Sequence, residues 1–189
     1  MEKQYIPQII HGGQSQRIPI LLNELQQQGI NEFNIVEGIH DKHSVVKAIN
    51  LSHKKIVEQA LDDGLEEVAI FEDDIKFTDI GAWNYFLANK PKSFDLYLGG
   101  IYLGDILPDN TVKSFTALHC YIIHCKFYAT FLSTPDNIHI DHSLANLGDY
   151  HVCNPIIAVQ HAGWSSNSGK DETYDNLLQN RVLYTNIAH

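Results

Sequence analysis

Val68-Ala69-Ile70-Phe71-Glu72-Asp73-Asp74 is the stretch whose reading decides the fold. Four apolar residues in succession, with no polar alternation, suit a strand covered on both faces, as in a sheet sandwiched between helices. The run ends abruptly in three carboxylates. In open α/β sheets ligands bind outside the carboxyl ends of the strands, so these acids stand where a site is expected.

Upstream, residues 44–63 carry Val45, Ala48, Ile49, Ser52, Ile56 and Ala60 at a roughly helical period, with Ser44 as cap and Gly64 as stop. Asn34-Ile35-Val36 reads as a strand. Over residues 17–28, Ile18, Leu21, Leu22 and Leu25 mark one helical face, closed by Gly29. Residues 5–10 read as a first strand, followed by the polar turn His11-Gly12-Gly13-Gln14-Ser15-Gln16.

Downstream, residues 83–88 predict a helix, 94–98 a strand closed by Gly99-Gly100, 121–123 a strand, and 127–132 a helix. Residues 150–153 and 156–159 read as short strands, and 163–173, rich in Ser, Gly and Asn, as a loop near the site. Alternating strands and helices imply an α/β sheet. With no repeat, low-complexity tract or linker, the 189 residues are expected to form one domain, 1–189.

Composition narrows the function classes. A formal charge of −10 gives no electrostatic footprint for a nucleic-acid backbone. No apolar stretch approaches the 18 or so residues of a membrane span, and Met1-Glu2-Lys3-Gln4-Tyr5 does not open a secretory signal, so a cytoplasmic setting is expected. Three cysteines, Cys120, Cys125 and Cys153, suit reduced thiols better than a disulfide framework.

Adjacent carboxylates repel one another, whereas a hard divalent cation such as Mn²⁺ or Mg²⁺ takes their oxygens and bridges them to substrate phosphates. Such a bridge stabilises charge on a departing diphosphate, which suits glycosyl transfer. A solvated turn that merely ends the strand would account for the acids equally well, so the surroundings must decide. His119-Cys120 and His124-Cys125 do not have the usual ligand spacing of a zinc site, and Tyr121-Ile122-Ile123 between them reads as buried strand. Glycines 99, 100 and 104 would permit close approach by a sugar, with Tyr102 available to stack, although a plain turn explains them as well.

Leu51-Ser52-His53-Lys54-Lys55-Ile56, then Ala60 and Gly64, then Ile70-Phe71-Glu72-Asp73-Asp74-Ile75, form an ordered set of segments. The series continues through Phe94-Asp95-Leu96, Ile140-Asp141-His142-Ser143-Leu144, Asn154-Pro155-Ile156 and Gln160. It resembles glycosyltransferase family 25, the lipooligosaccharide (lipopolysaccharide biosynthesis) and collagen galactosyltransferases, over most of the chain. The resemblance implies a GT-A-like (Rossmann-like) α/β fold: a mixed, mostly parallel sheet flanked by helices. It also implies a nucleotide-sugar donor, usually UDP-linked, a divalent metal, inversion at the anomeric carbon, and a glycan or other hydroxyl acceptor. The chain departs from the family at His11-Gly12-Gly13, where an Asn-Leu pair is usual, and at Asn167, where an Asp often stands.

Asp74 and Glu72, with His161, are thus the candidate metal ligands, and Arg17, Ser52, His53, Glu72, Asp73 and Gln160 the candidates for holding the nucleotide and diphosphate. Asp141 is the first candidate for the base that an inverting transfer needs, with a helix-capping role as its alternative, and His142 is the second. The competing class is a catalytically silent carbohydrate- or nucleotide-sugar-binding protein of the same fold, motivated by the altered segment after the first strand. A two-metal phosphoesterase ranks last, since no second carboxylate and histidine group has the required spacing.

Overall fold

The computed structural model describes residues 5–165 and 167–186. In chain order its first half runs β1 (Gln8–His11), α1 (Arg17–Gln27), β2 (Asn34–Glu37), α2 (Val45–Asp62), β3 (Glu67–Glu72), β4 (Ile75–Phe77) and α3 (Ala82–Ala88). The second half runs β5 (Leu96–Leu98), β6 (Thr111–Val112), β7 (Cys120–His124), α4 (Tyr128–Leu132), α5 (Ile140–Ser143), β8 (Tyr150–Val152), β9 (Ala158–Gln160), β10 (Gly163–Ser165) and β11 (Lys170–Glu172).

Seven strands form one sheet in the order β2-β1-β3-β7-β5-β8-β6. Pairings β1–β2, β1–β3 and β5–β8 are parallel, while β3–β7, β5–β7 and β6–β8 are antiparallel. Strands β2, β1, β3, β5 and β8 therefore point one way and β7 and β6 run against them. This is the expected mixed, mostly parallel α/β sheet. No helix among the described residues is long and apolar enough to cross a membrane.

Strand alternation explains the unbroken apolar run in β3. Val68 and Ile70 project into one core layer with Ile56, Val57 and Ala60 of α2, and Ala69 and Phe71 into the other with Leu21 and Leu25 of α1 and Phe86 of α3. With helices on both faces, every position of the run is buried. At α2, Ser44 accepts the Lys47 N–H through its Oγ, as its cap position predicts, and Gly64 takes the left-handed conformation, φ 66°, that ends the turn.

Two expectations need correction. Residues 163–173 are not a plain loop: β10 and β11 pair antiparallel, Gly163 with Glu172 and Ser165 with Lys170. The expected stretch includes Ser166, which lies outside the described residues. The close approach permitted at Gly100 is taken up by the chain itself, because a Cβ there would meet the Ala158 carbonyl oxygen at 2.1 Å. The three cysteines are free thiols, with Cys120 and Cys153 buried and Cys125 exposed.

Candidate active site

The acidic strand end is clamped by its neighbours. The Glu72 N–H donates to His119 O on the β7 side, and the Asp73 N–H donates to Ile10 O in β1. The three side chains are thereby sent to different tasks.

Asp73, only 3% exposed, is taken up by the chain. Its Oδ2 accepts the Gly12 N–H at 2.9 Å and His11 Nδ1 at 2.7 Å, and its Oδ1 accepts Arg17 Nη1 at 2.6 Å. The end of β1 and the segment after it are thus docked onto the acid by His11, Gly12 and Arg17. Arg17 extends the arrangement: Nη1 also lies 3.2 Å from Asp74 Oδ2, and Nη2 donates to Trp164 O at 2.6 Å, tying the β10–β11 hairpin to the acids.

Glu72 and Asp74 converge instead on Gln160, the last residue of β9, whose position opposite Ile75 is set by the β4–β9 pairing. Gln160 Nε2 donates to Glu72 Oε2 at 3.0 Å and reaches Asp74 Oδ1 at 3.3 Å. Burial, reinforced by the Glu72 charge, pushes the Asp74 carboxyl up to about 7 against the pull of Arg17. Burial also acts to raise Glu72, but the hydrogen bond from His53 and the attraction of His53, His119 and Arg17 outweigh it and hold Glu72 below its ordinary value.

Helix α2 positions the site through polar side chains that face inward. His53, 1% exposed, places Nε2 3.3 Å from Glu72 Oε1 and Nδ1 3.0 Å from the Tyr121 hydroxyl, so a ring that donates to the carboxylate accepts from the tyrosine. Ser52 Oγ donates to Ala48 O at 2.7 Å and accepts the Ile39 N–H at 2.8 Å, which fixes the start of the loop after β2. Both side chains spend their hydrogen bonds on protein partners, yet both border the cavity beside the acids. Asn50 and Lys54, which sequence reasoning did not single out, pin residues 134–140: Asn50 Nδ2 donates to Ile138 O at 2.6 Å, Asn50 Oδ1 accepts the Ile140 N–H at 3.1 Å, and Lys54 Nζ holds Thr134 O and Asp136. The helical period carried no signal for them, since both lie off the stripe of Ala48, Ile49, Ser52, Ile56 and Ala60, and they are buried because residues 134–140 cover that side of α2.

The pinned segment carries Asp141 in the first turn of α5. Asp141 Oδ2 accepts the Ala117 N–H at 3.0 Å, and Oδ1 accepts the His142 N–H at 2.8 Å. Ala117 has φ 80°, a conformation disfavoured for alanine, so Asp141 also braces a strained turn. His142 is exposed. His161 turns toward α1, with Nε2 3.1 Å from Glu24 Oε1, and its N–H donates to Asp74 O.

Two cavities meet at the acids. One, about 290 Å³, lies between Gly12, Arg17, Asp74 and residues 38–42. The other, about 410 Å³, extends past Asp141, Tyr102 and Tyr174. They share a wall made of Ile49, His53, Glu72, Gln160, Ser165 and Asn167. A larger cavity, about 560 Å³, opens at the amino ends of the strands beside Gln8, Asn34 and Glu67, away from the acids.

Among the described residues, no three His, Cys, Asp or Glu side chains are grouped to hold a metal ion. Asp73 is occupied by Arg17, His11 and Gly12, and His161 by Glu24. Glu72 and Asp74 are the pair that borders the smaller cavity, contacted there by Gln160, with His53 on Glu72 and Arg17 on Asp74. That donor set does not make a closed cage, but it fits a hard cation held by one or two carboxylates together with substrate phosphates and water.

No family model matches the chain, and no curated protein matches it. Among solved structures it is similar to a nucleoside-diphosphate-sugar pyrophosphorylase from Vibrio cholerae RC9, at 14% identity and a TM-score of 0.40, covering 77% of this chain and 71% of that one. It is also similar to a glycosyltransferase involved in the glycosylation of the major capsid of PBCV-1, at 10% identity and a TM-score of 0.40, covering 66% of this chain and 63% of that one. Overlap this loose carries no argument about activity, which rests on the site itself.

Proposed function

We propose that the chain is an inverting glycosyltransferase that moves a sugar from a nucleotide-sugar donor, UDP-linked, to a hydroxyl acceptor. The observation that carries this reading is the junction of the two cavities at Glu72 and Gln160, beside a second carboxylate, Asp74, that follows the carboxyl end of β3 and borders the smaller cavity. Two ligands seated on either side of that wall would meet at the acids. The ordered segments shared with glycosyltransferase family 25 support the same assignment.

In this reading the smaller cavity takes the nucleotide, against residues 38–42 and the end of β1. Arg17 faces the diphosphate: its guanidinium is already held by Asp73, and a preorganised cation loses little on stabilising developing charge. Glu72 and Asp74 would hold a divalent cation, Mn²⁺ or Mg²⁺, which would supply positive charge for the departing diphosphate. His53 keeps Glu72 ionised and fixes its direction. Asp141, on the lining of the second cavity, takes the acceptor's proton, and its two backbone donors hold it in place for that.

The test is donor turnover with a panel of UDP-hexoses and Mn²⁺. Asp141→Asn should abolish transfer while leaving hydrolysis of the donor by water; loss of neither would remove Asp141 from the base role. One observation favours a silent binding protein instead: both Asp141 oxygens are already engaged by backbone N–H groups. Donor binding without hydrolysis or transfer to any acceptor would establish that second reading.

A further inference from the structure

We infer that the second cavity is an acceptor chamber for an uncharged or amine-bearing sugar, and that it discriminates against acceptors with a phosphate or carboxylate beside the reacting hydroxyl. The inference rests on the glycosyl-transfer reading above, because it takes the neighbouring cavity as the donor's.

The chamber's volume, about 410 Å³, lies within the roughly 300–1,000 Å³ of small-molecule sites. One side of it is an aromatic stack. Tyr174 lies parallel to Tyr102, with ring centroids 4.9 Å apart and planes within 5°, and Tyr102 in turn lies over the buried His119 at 5.7 Å and 23°. The stack is anchored, since the Tyr102 hydroxyl accepts the Gln160 N–H at 2.9 Å. A fixed aromatic surface with polar groups around it suits the apolar C–H face of a pyranose ring, at little entropic cost.

The polar groups select by charge. Glu72, Asp141 and Glu172 line the chamber. Ionised carboxylates only accept hydrogen bonds, so they receive hydroxyl or ammonium protons and repel anionic groups. Lys170, 3.4 Å from Glu172, offsets one of the three charges, but neither Lys nor Arg is among the described residues that line the chamber. His139 and His142 stand at the α5 side, 5.8 Å apart between ring centroids, and His53, paired with Glu72, is the third histidine on the lining. An anion placed here meets Glu72, already paired with His53 and Gln160, and Asp141, held only by backbone N–H groups, with no Lys or Arg on the described lining to receive it; a like-charge juxtaposition of that kind is a means of excluding wrong partners.

Saturation-transfer NMR on the full chain, without donor, tests this directly. Lactose, N-acetylglucosamine and glucosamine are the uncharged and amine-bearing probes, and 3′-sialyllactose and glucose 6-phosphate are the anionic ones. Signal from the first group and at least about tenfold weaker binding of the second are expected. Tyr174→Ala should weaken the uncharged probes about tenfold, and Glu172→Arg, at a partly exposed position and with an unchanged melting temperature as the check on folding, should admit glucose 6-phosphate. Equal or tighter binding of the anionic probes, binding unaffected by both substitutions, or no binding by any probe at tens of millimolar would overturn the inference. Stabilisation by UDP-hexoses is measured separately in a melting experiment, so sugar binding without donor binding would refute glycosyl transfer and spare the chamber, whereas the reverse would refute the chamber alone.

Discussion

Asp74 stands at the end of a hydrophobic strand beside Glu72 and Asp73, and burial with those two charges lifts its carboxyl from 3.8 to about 7. A carboxyl whose folded value is raised contributes stability that is fully present below its unfolded value and is lost as pH rises through the folded one. In metal-free protein, Asp74 is therefore increasingly unfavourable from about pH 4 to about pH 7, and an uncharged amide of the same shape escapes that loss. Asp74→Asn in EDTA should melt above wild type at neutral pH, with the difference closing as pH falls toward 4 and level above 7; a gap that stays constant over that range would refute the argument. The same substitution removes a proposed ligand worth several kcal/mol of transition-state stabilisation, so transfer should fall roughly a thousandfold. A variant that is more stable and inactive is what a site strained for function predicts.

At the scale of elements, α2 is both a core helix and the frame of the site. Its apolar stripe, Ile56, Val57 and Ala60, packs on the sheet, while Asn50, Ser52, His53 and Lys54 reach the segments that border the two cavities. Asn50→Ala would leave the Ile140 N–H without its partner and the Ile138 carbonyl with only the long contact from Ser143 Oγ, at about 1–3 kcal/mol, and should lower acceptor transfer more than donor hydrolysis because residues 134–140 lead into Asp141. Equal losses in both rates would argue against that division. Ser44→Ala, by contrast, removes only a cap and should cost about 1 kcal/mol, or roughly 2–4 °C in melting temperature, with no change in either rate. The same helix shows what was legible in advance. Its period, cap and stop were readable because they are local, and Ser52 and His53 stood out by resemblance. That they act through Ile39 and Glu72 was not readable, because those contacts depend on strand order. The β10–β11 hairpin was missed for a related reason: three-residue strands rich in polar groups carry too little alternation to distinguish them from a loop.

For the whole molecule, the order β2-β1-β3-β7-β5-β8-β6 brings together residues far apart in the chain, and the contacts across the acids are long-range: His11 and Arg17 with Asp73, Gln160 with Glu72, Arg17 with Trp164. Sequence could mark each of these positions, but only the sheet order makes Asp73 the anchor for β1 and turns Glu72 and Asp74 toward Gln160. A ligand in the smaller cavity would touch β1, α1, α2, β3 and β9 at once, so its binding energy would be coupled to unfolding of the whole rather than to one loop. A UDP-hexose with Mn²⁺ at about a hundred times its dissociation constant should raise stability by about 2.7 kcal/mol, or roughly 5–10 °C for a chain of this size. The rise should require both components, because Glu72 and Asp74 supply too few oxygens to hold the cation without the phosphates. Asp74→Asn should abolish it, and an equal rise with Mn²⁺ alone would show that the cation site is complete without the donor.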